Sequence, residues 1–291
     1  MAPATLWEKT RTLLEMIKFS HTVFAFPFAL MGVVLASLAN QAPPTLGQIF
    51  WICLAMIGAR SGAMGLNRII DARIDAKNPR TAARHIPAGQ VSLREAWLFV
   101  LGSFALMLFA AWMLNPLCFY LAPVALFFLF LYSFCKRFTA LAHVVLGICL
   151  AAAPIGAWIA LRGDVSWQII ALGLAVLFWV AGFDIFYALQ DLEFDREQGL
   201  HSIPARFGVE RSLWLARAFH IMMVFLLLLL LIGTGLGWIY FLGVCVVAGL
   251  LAYEHLLVKP DDFSRIDAAF FNMNGYISLT IFAFTLLDAL I

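Results

Sequence analysis

The segment GARSGAMGLNRIIDARID, residues 58–75, runs from a small, apolar stretch into a polar one that carries Asn67, Asp71 and Asp75 at intervals of four. That interval puts the three side chains on one face of a helix. Like charges so placed repel and weaken the helix unless positive charge sits between them. A second doublet, Asp191 and Asp195, follows the apolar stretch 167–188. Two carboxylate doublets, each where an apolar segment gives way to a polar loop, predict bound divalent cations, with Mg2+ and a diphosphate as the fitting pair.

Around this segment the composition excludes a soluble domain. Of the 291 residues, 64% are hydrophobic and 12% charged, and the mean hydropathy is +0.94; such a chain buries its apolar surface in lipid. Stretches of about 20 residues, enough to span a bilayer, fall at 20–39, 46–67, 95–114, 116–134, 139–161, 167–188, 213–234, 236–257 and 268–290. The expectation is an all-α polytopic membrane protein, a bundle of about nine transmembrane helices with two polar cytoplasmic loops, 71–94 and 191–212.

Lys and Arg set the orientation. Lys9, Arg11 and Lys18 precede the first span, and Arg68, Arg73, Lys77, Arg80, Arg84 and Arg94 follow the second. Lys136, Arg137, Arg196, Arg206, Arg211, Lys259 and Arg265 mark the other connections on that side, while the opposite connections hold Arg162 alone. The positive-inside rule then puts the N-terminus and both doublets on the cytoplasmic face of the inner membrane. Residues 1–19 lack the apolar core of a signal peptide; Leu6, Trp7, Leu13, Leu14 and Ile17 predict an amphipathic surface helix instead. The five cysteines show no paired or metal-ligand spacing and read as core residues.

Both long loops contain the same tripeptide, Ile86-Pro87-Ala88 and Ile203-Pro204-Ala205, behind their doublets. This weak repeat divides a single domain, 1–291, into two halves, roughly 20–161 and 167–290, facing one site. The small residues of 58–65 predict close approach of a neighbouring helix. Pro27, Pro123 and Pro154 are expected to bend theirs.

Walking back from Asp75 gives Asp71, Asn67 and Arg60 on one face; walking back from Asp195 gives Asp191, Tyr187 and Asp184 on another. A charge near the bilayer centre costs ~3 kcal/mol even on the lenient insertion scale, so Arg60 and Asp184 should face the interior. Two readings stay open: Arg60 and Asp184 neutralise each other, or Arg60 holds an anionic group of a substrate. At the helix ends the doublets oppose the macrodipole and need a compensating cation. Arg68, Lys77, Arg84, Lys136, Arg137 and Arg206 are candidates for neutralising phosphate oxygens.

The strings NRIIDARIDAKNPRTAARHIPAG and YALQDLEFDREQGLHSIPARFG resemble the two signature motifs of the UbiA superfamily of intramembrane prenyltransferases. Asn67, Asp71 and Asp75 match its N-x3-D-x3-D, and Asp191 and Asp195 match its D-x3-D. Arg60 and the Tyr132-x3-Lys136-Arg137 segment match further; Ala83 and His201 depart from the pattern and leave the acceptor open. The resemblance, which covers the whole chain, implies Mg2+ held by Asn67, Asp71, Asp75, Asp191 and Asp195. It also implies a polyprenyl diphosphate donor and an aromatic acid acceptor, with Asp71, Asp191, Arg60 and Tyr187 as catalytic residues. Ionisation of the donor would give an allylic cation, shielded by aromatic faces drawn from Phe24, Phe26, Phe28, Tyr132, Phe183 and Tyr187, of which Tyr187 and Tyr132 are favoured.

The acceptor expected first is 4-hydroxybenzoate of ubiquinone synthesis. The opening His21-Thr22-Val23-Phe24 to Pro27-Phe28 resembles members that prenylate 1,4-dihydroxy-6-naphthoate on the futalosine route to menaquinone. The partners are thus a polyprenyl diphosphate, an aromatic acid and the lipid bilayer; no nucleic acid is expected. A secondary transporter would place its charges near the midplane, whereas these motif residues lie at the membrane boundary.

Overall fold

A computed structural model describes residues 6–17, 25–260, 262–263, 265–266 and 272–291. Lys18 and the His21–Phe24 opening lie outside the described residues. The fold is all helical: α1 (Leu6–Met16), α2 (Phe26–Asn40), α3 (Leu46–Asp75), α4 (Leu93–Leu114), α5 (Pro116–Cys135), α6 (Ala142–Arg162), α7 (Trp167–Ala188), α8 (Leu192–Glu197), α9 (Ile203–Phe207), α10 (Val209–Leu229), α11 (Trp238–Leu257) and α12 (Asn274–Leu290). Among the described residues seven helical segments are long and apolar enough to cross a membrane. The shorter apolar helices α2 and α12 stand where the first and last spans were expected, and each adjoins residues outside the described set. The chain is a multi-pass membrane protein.

Local chemistry explains where the helices start and stop. Thr45 with Gln48 and Ser92 with Glu95 form capping boxes at the starts of α3 and α4, satisfying backbone N–H groups that a helix leaves unpaired. Asn115 caps α5 through Cys118 N at 2.9 Å and donates to Ile159 O at 2.7 Å, tying that start to the end of α6. Gly163, at φ 70°, ends α6 in the left-handed region that glycine adopts freely. Pro27 lies in the first turn of α2, where a missing N–H costs nothing, so it starts its helix rather than bending it. Pro123 and Pro154 lie inside α5 and α6.

Between helices in lipid, packing rather than hydrophobic transfer decides association. The small-residue stretch of α3 does what its composition predicts: a Cβ on Gly58 would meet Ser103 O of α4 at 2.6 Å. Gly147 plays the same part between α6 and α7, with Leu177 O at 2.5 Å from an added Cβ. The innermost helix is α7, whose Trp179, Ile185 and Phe186 are fully enclosed. On the periphery, Tyr120, Phe127, Trp214, Ile221 and Leu256 stand exposed, as lipid-facing side chains must.

Two sequence expectations change here. Helix α3 runs unbroken through Asp75, as the spacing of four predicts, so the loop expected from residue 71 begins only after Asp75. The second does not continue α7: a 3-10 turn, Leu189–Asp191, intervenes before α8, so Tyr187, Asp191 and Asp195 do not share one α-helical stripe. The repeated tripeptide also differs in form, lying in turns at Ile86-Pro87-Ala88 and in α9 at Ile203-Pro204-Ala205.

Candidate active site

Each doublet meets cations of the chain. Asp71 is 2% exposed; Lys136 Nζ stands 2.6 Å from its Oδ2, Arg137 Nη2 donates to Oδ1 at 3.0 Å, and Asn67 Nδ2 donates to Oδ2 at 3.1 Å. Asp75, 3% exposed, receives Arg84 Nη1 on both oxygens at 2.7 and 2.8 Å. Asp191 receives Asn78 Nδ2 at 2.8 Å and a fork from Arg80, Nε at 2.9 Å on Oδ1 and Nη2 on Oδ2. Asp195 stands half-buried at the start of α8. Carboxylates buried to this degree stay charged only when paired.

The compensating charge that the doublets require therefore comes, in this structure, from Arg and Lys side chains. Among the described residues no three His, Cys, Asp or Glu side chains converge on a metal position. The donor set still fits Mg2+, since every candidate ligand is an oxygen and this ion takes one or two carboxylates with substrate phosphates and water.

The basic candidates divide. Arg84, Lys136 and Arg137 are at the doublets; Arg137 also donates to Ser133 O and Ile70 O at 2.7 and 2.9 Å, fixing the turn after α5 to α3. Arg68 is buried, its Nε 3.4 Å from Met16 O at the end of α1. Lys77 is exposed with no ion pair among the described residues, and Arg206 is exposed over the Phe207 ring at 5.4 Å. The sequence reading missed Asn78 and Arg80; their only signal was position, just past Asp75 in the same loop.

Arg80 also donates to Tyr187 Oη at 2.9 Å, with its guanidinium carbon 5.0 Å from the ring centroid. Burial disfavours its charge, but the Asp191 hydrogen bonds, together with Tyr187 and the Asp191 charge, outweigh that and hold its pKa above the ordinary guanidinium value.

An apolar cavity of about 530 Å³ adjoins the site between α3, α5 and α6, reaching Leu174 and Leu177 of α7. It extends from Cys118 to Tyr132 on α5, fourteen residues or ~21 Å at the helical rise. Arg60 and Tyr132 line it, as do Cys118 and Cys149, which were expected in the core. Asp71 lies seven residues beyond the lining residue Met64 on α3, ~10 Å along its axis.

Arg60 and Asp184 do not pair. Asp184 Oδ2 is 2.7 Å from His143 Nδ1 on α6, the helix against which α7 packs. Arg60 makes no ion pair among the described residues, and its Nε is buried without a partner. Of the aromatic candidates, Phe28 and Phe183 pack on Trp179 at 4.9 and 5.0 Å and do not line the cavity. Phe24 lies outside the described residues.

The sequence profile of the UbiA prenyltransferase family matches residues 25–276. Similar curated proteins include the 4-hydroxybenzoate octaprenyltransferases of Vibrio cholerae serotype O1, 33% identical over 258 residues (86% of this chain and 88% of that one), and of Legionella pneumophila, 31% identical over 250 residues (83% and 85%). Among solved structures, the apo form of a UbiA homologue from Aeropyrum pernix K1 superposes with TM-score 0.83 at 34% identity, over 92% of this chain and 98% of that one. The fold is shared with a UbiA homologue from Archaeoglobus fulgidus bound to DMAPP and Mg2+, at TM-score 0.71 and 19% identity, over 96% and 99%. With a family match across most of its length, a carboxylate site and an apolar cavity beside it, the chain belongs to the UbiA prenyltransferase family and is a membrane-embedded prenyltransferase.

Proposed function

We propose that this enzyme transfers a polyprenyl group from a polyprenyl diphosphate to the ring of 4-hydroxybenzoate, the ring-prenylation step of ubiquinone synthesis. The observation that carries the donor half is the set of carboxylates, buried Asp71 and Asp75 and half-buried Asp191, held on Arg80, Arg84, Lys136 and Arg137 near an apolar cavity. These long cationic arms can exchange a carboxylate for a phosphate oxygen. The freed Asp71, Asp75, Asp191 and Asp195 would hold Mg2+, whose charge would stabilise the diphosphate as a leaving group. Arg80 stays protonated throughout, so it meets developing phosphate charge without a proton transfer.

As the allylic C–O bond breaks, its electron pair leaves with the diphosphate. Tyr132, on the cavity wall, would offer a ring face to the carbocation, worth ~0.5–2 kcal/mol, whereas Tyr187 lies outside the lining with Arg80 over its ring. The apolar lining keeps water from that cation. A ring carbon of the acceptor then forms the new C–C bond and the ring sheds one proton. The unpartnered Arg60 Nε in the cavity suits the acceptor's carboxylate, because a buried guanidinium without a partner gains most from an anion.

The names of the Vibrio and Legionella relatives support 4-hydroxybenzoate as the acceptor. The excess of Lys and Arg on the doublet side supports a site that faces the cytoplasm, in keeping with an inner-membrane location. Purified protein given labelled prenyl diphosphate with 4-hydroxybenzoate and 1,4-dihydroxy-6-naphthoate in parallel tests the reading. Label in 4-hydroxybenzoate alone is expected; label only in the naphthoate overturns the acceptor, and label in neither overturns the reaction as written.

A further inference from the structure

His143, in the first turn of α6, is 3% exposed and does not itself line the cavity. Its Nδ1 lies 2.7 Å from Asp184 Oδ2, and its Nε2 lies 3.3 Å from the backbone N of Ile203. A backbone N–H can only donate, so Nε2 accepts and the proton sits on Nδ1, which donates to Asp184. The neutral imidazole is held in one tautomer by two partners. Those partners bracket the second doublet: Asp184 stands in the last two turns of α7, the chain leaves that helix after Ala188, passes through Asp191 and Asp195, and returns to the same ring at Ile203.

A second tie lies alongside. His201 N donates to Lys136 O at 2.7 Å, while Lys136 Nζ reaches Asp71. The turn between α5 and α6 therefore grips the base of the second loop and a carboxylate of the first doublet at once. A loop closed at its base explores fewer conformations than one anchored only at Asp184.

We propose that His143 is a positioning residue that clasps the end of α7 to the start of α9 and so sets Asp191 and Asp195, on the segment between them, against the first doublet for diphosphate binding. This deepens the proposed function and rests on it. His143→Leu removes both hydrogen bonds; His143→Gln keeps them, since its amide N–H can donate to Asp184 and its carbonyl can accept from Ile203; His143→Asn is too short to reach both. The Leu and Asn variants should raise the KM for prenyl diphosphate about tenfold or more, the scale of losing a group that orients ligands, with the KM for the aromatic acid unchanged and Gln restoring most of the loss. The same two variants should be cut faster by trypsin at the exposed Arg196.

Unchanged diphosphate KM, an equal rise for both substrates, or unaltered cleavage at Arg196 in the folded Leu and Asn variants overturns the clasp. Absence of diphosphate-dependent turnover in the unmodified enzyme would instead overturn the proposed function, and the cleavage rates would still judge the clasp.

Discussion

Arg80 and Asp191, 111 residues apart, are joined by a two-armed ion pair that links the loop after α3 to the turn after α7. Removing one side of a charged hydrogen bond costs ~1.5–3 kcal/mol, so Arg80→Ala should lower kcat/KM for the prenyl diphosphate about ten- to a hundredfold. Arg80→Lys should recover only part, because an ammonium lacks the planar fork. Steady-state kinetics with the donor varied decides it; a Lys variant equal to the unmodified enzyme would count against the fork.

The raised pKa of Arg80 fixes the sign of its pH effect. A cation whose folded value lies above its unfolded value adds stability that is complete below the unfolded value and fades only as pH climbs through the folded one. Both lie far above neutrality, so the pair should contribute no slope to stability between about pH 6 and about pH 9. Denaturant midpoints of the unmodified protein and Arg80→Ala should run parallel across that range.

Asp71 gathers Lys136, Arg137 and Asn67, so Asp71→Asn keeps the shape and removes the charge. Turnover should fall by on the order of a hundredfold, with the elution of the folded protein in detergent unchanged. Near-normal turnover would remove Asp71 from the ligand set.

Arg60 lines the cavity with no ion partner among the described residues. Arg60→Ala should raise the KM for the aromatic acid about tenfold, the scale of losing one charge-assisted hydrogen bond, and that for the diphosphate much less. Equal rises in the two KM values would assign Arg60 to general architecture.

Asp288 tests the fold apart from the chemistry. It accepts from the backbone N–H groups of Gly237, Ile239 and Tyr240 at 2.5, 3.1 and 3.2 Å, capping α11 from the end of α12. Asp288→Ala should destabilise the protein by ~1–2 kcal/mol, seen as a lower Tm, with both KM values unmoved.

Much of the fold was legible in the sequence because a membrane span announces itself locally, through length and hydropathy. The limits of α4, α6 and α7 fall within a few residues of the expected 95–114, 139–161 and 167–188. The doublets were equally legible, since spacing alone groups them. Partners distant in sequence were not: nothing in the order of residues says that Asp184 meets His143 rather than Arg60, or that Arg80 rather than Lys77 or Arg206 reaches a doublet carboxylate. Those choices depend on α6 packing against α7 and on how the loop after α3 folds back. The 3-10 turn that ends at Asp191 was hidden because a spacing of four reads as continuous helix.

If both doublets hold a diphosphate through Mg2+, prenyl transfer by the purified enzyme must depend on the metal. Turnover should vanish with EDTA and return on adding Mg2+ in the unmodified enzyme, with no recovery in Asp71→Asn or Asp191→Asn. Transfer that persists in EDTA, or recovers fully in either variant, would contradict the account.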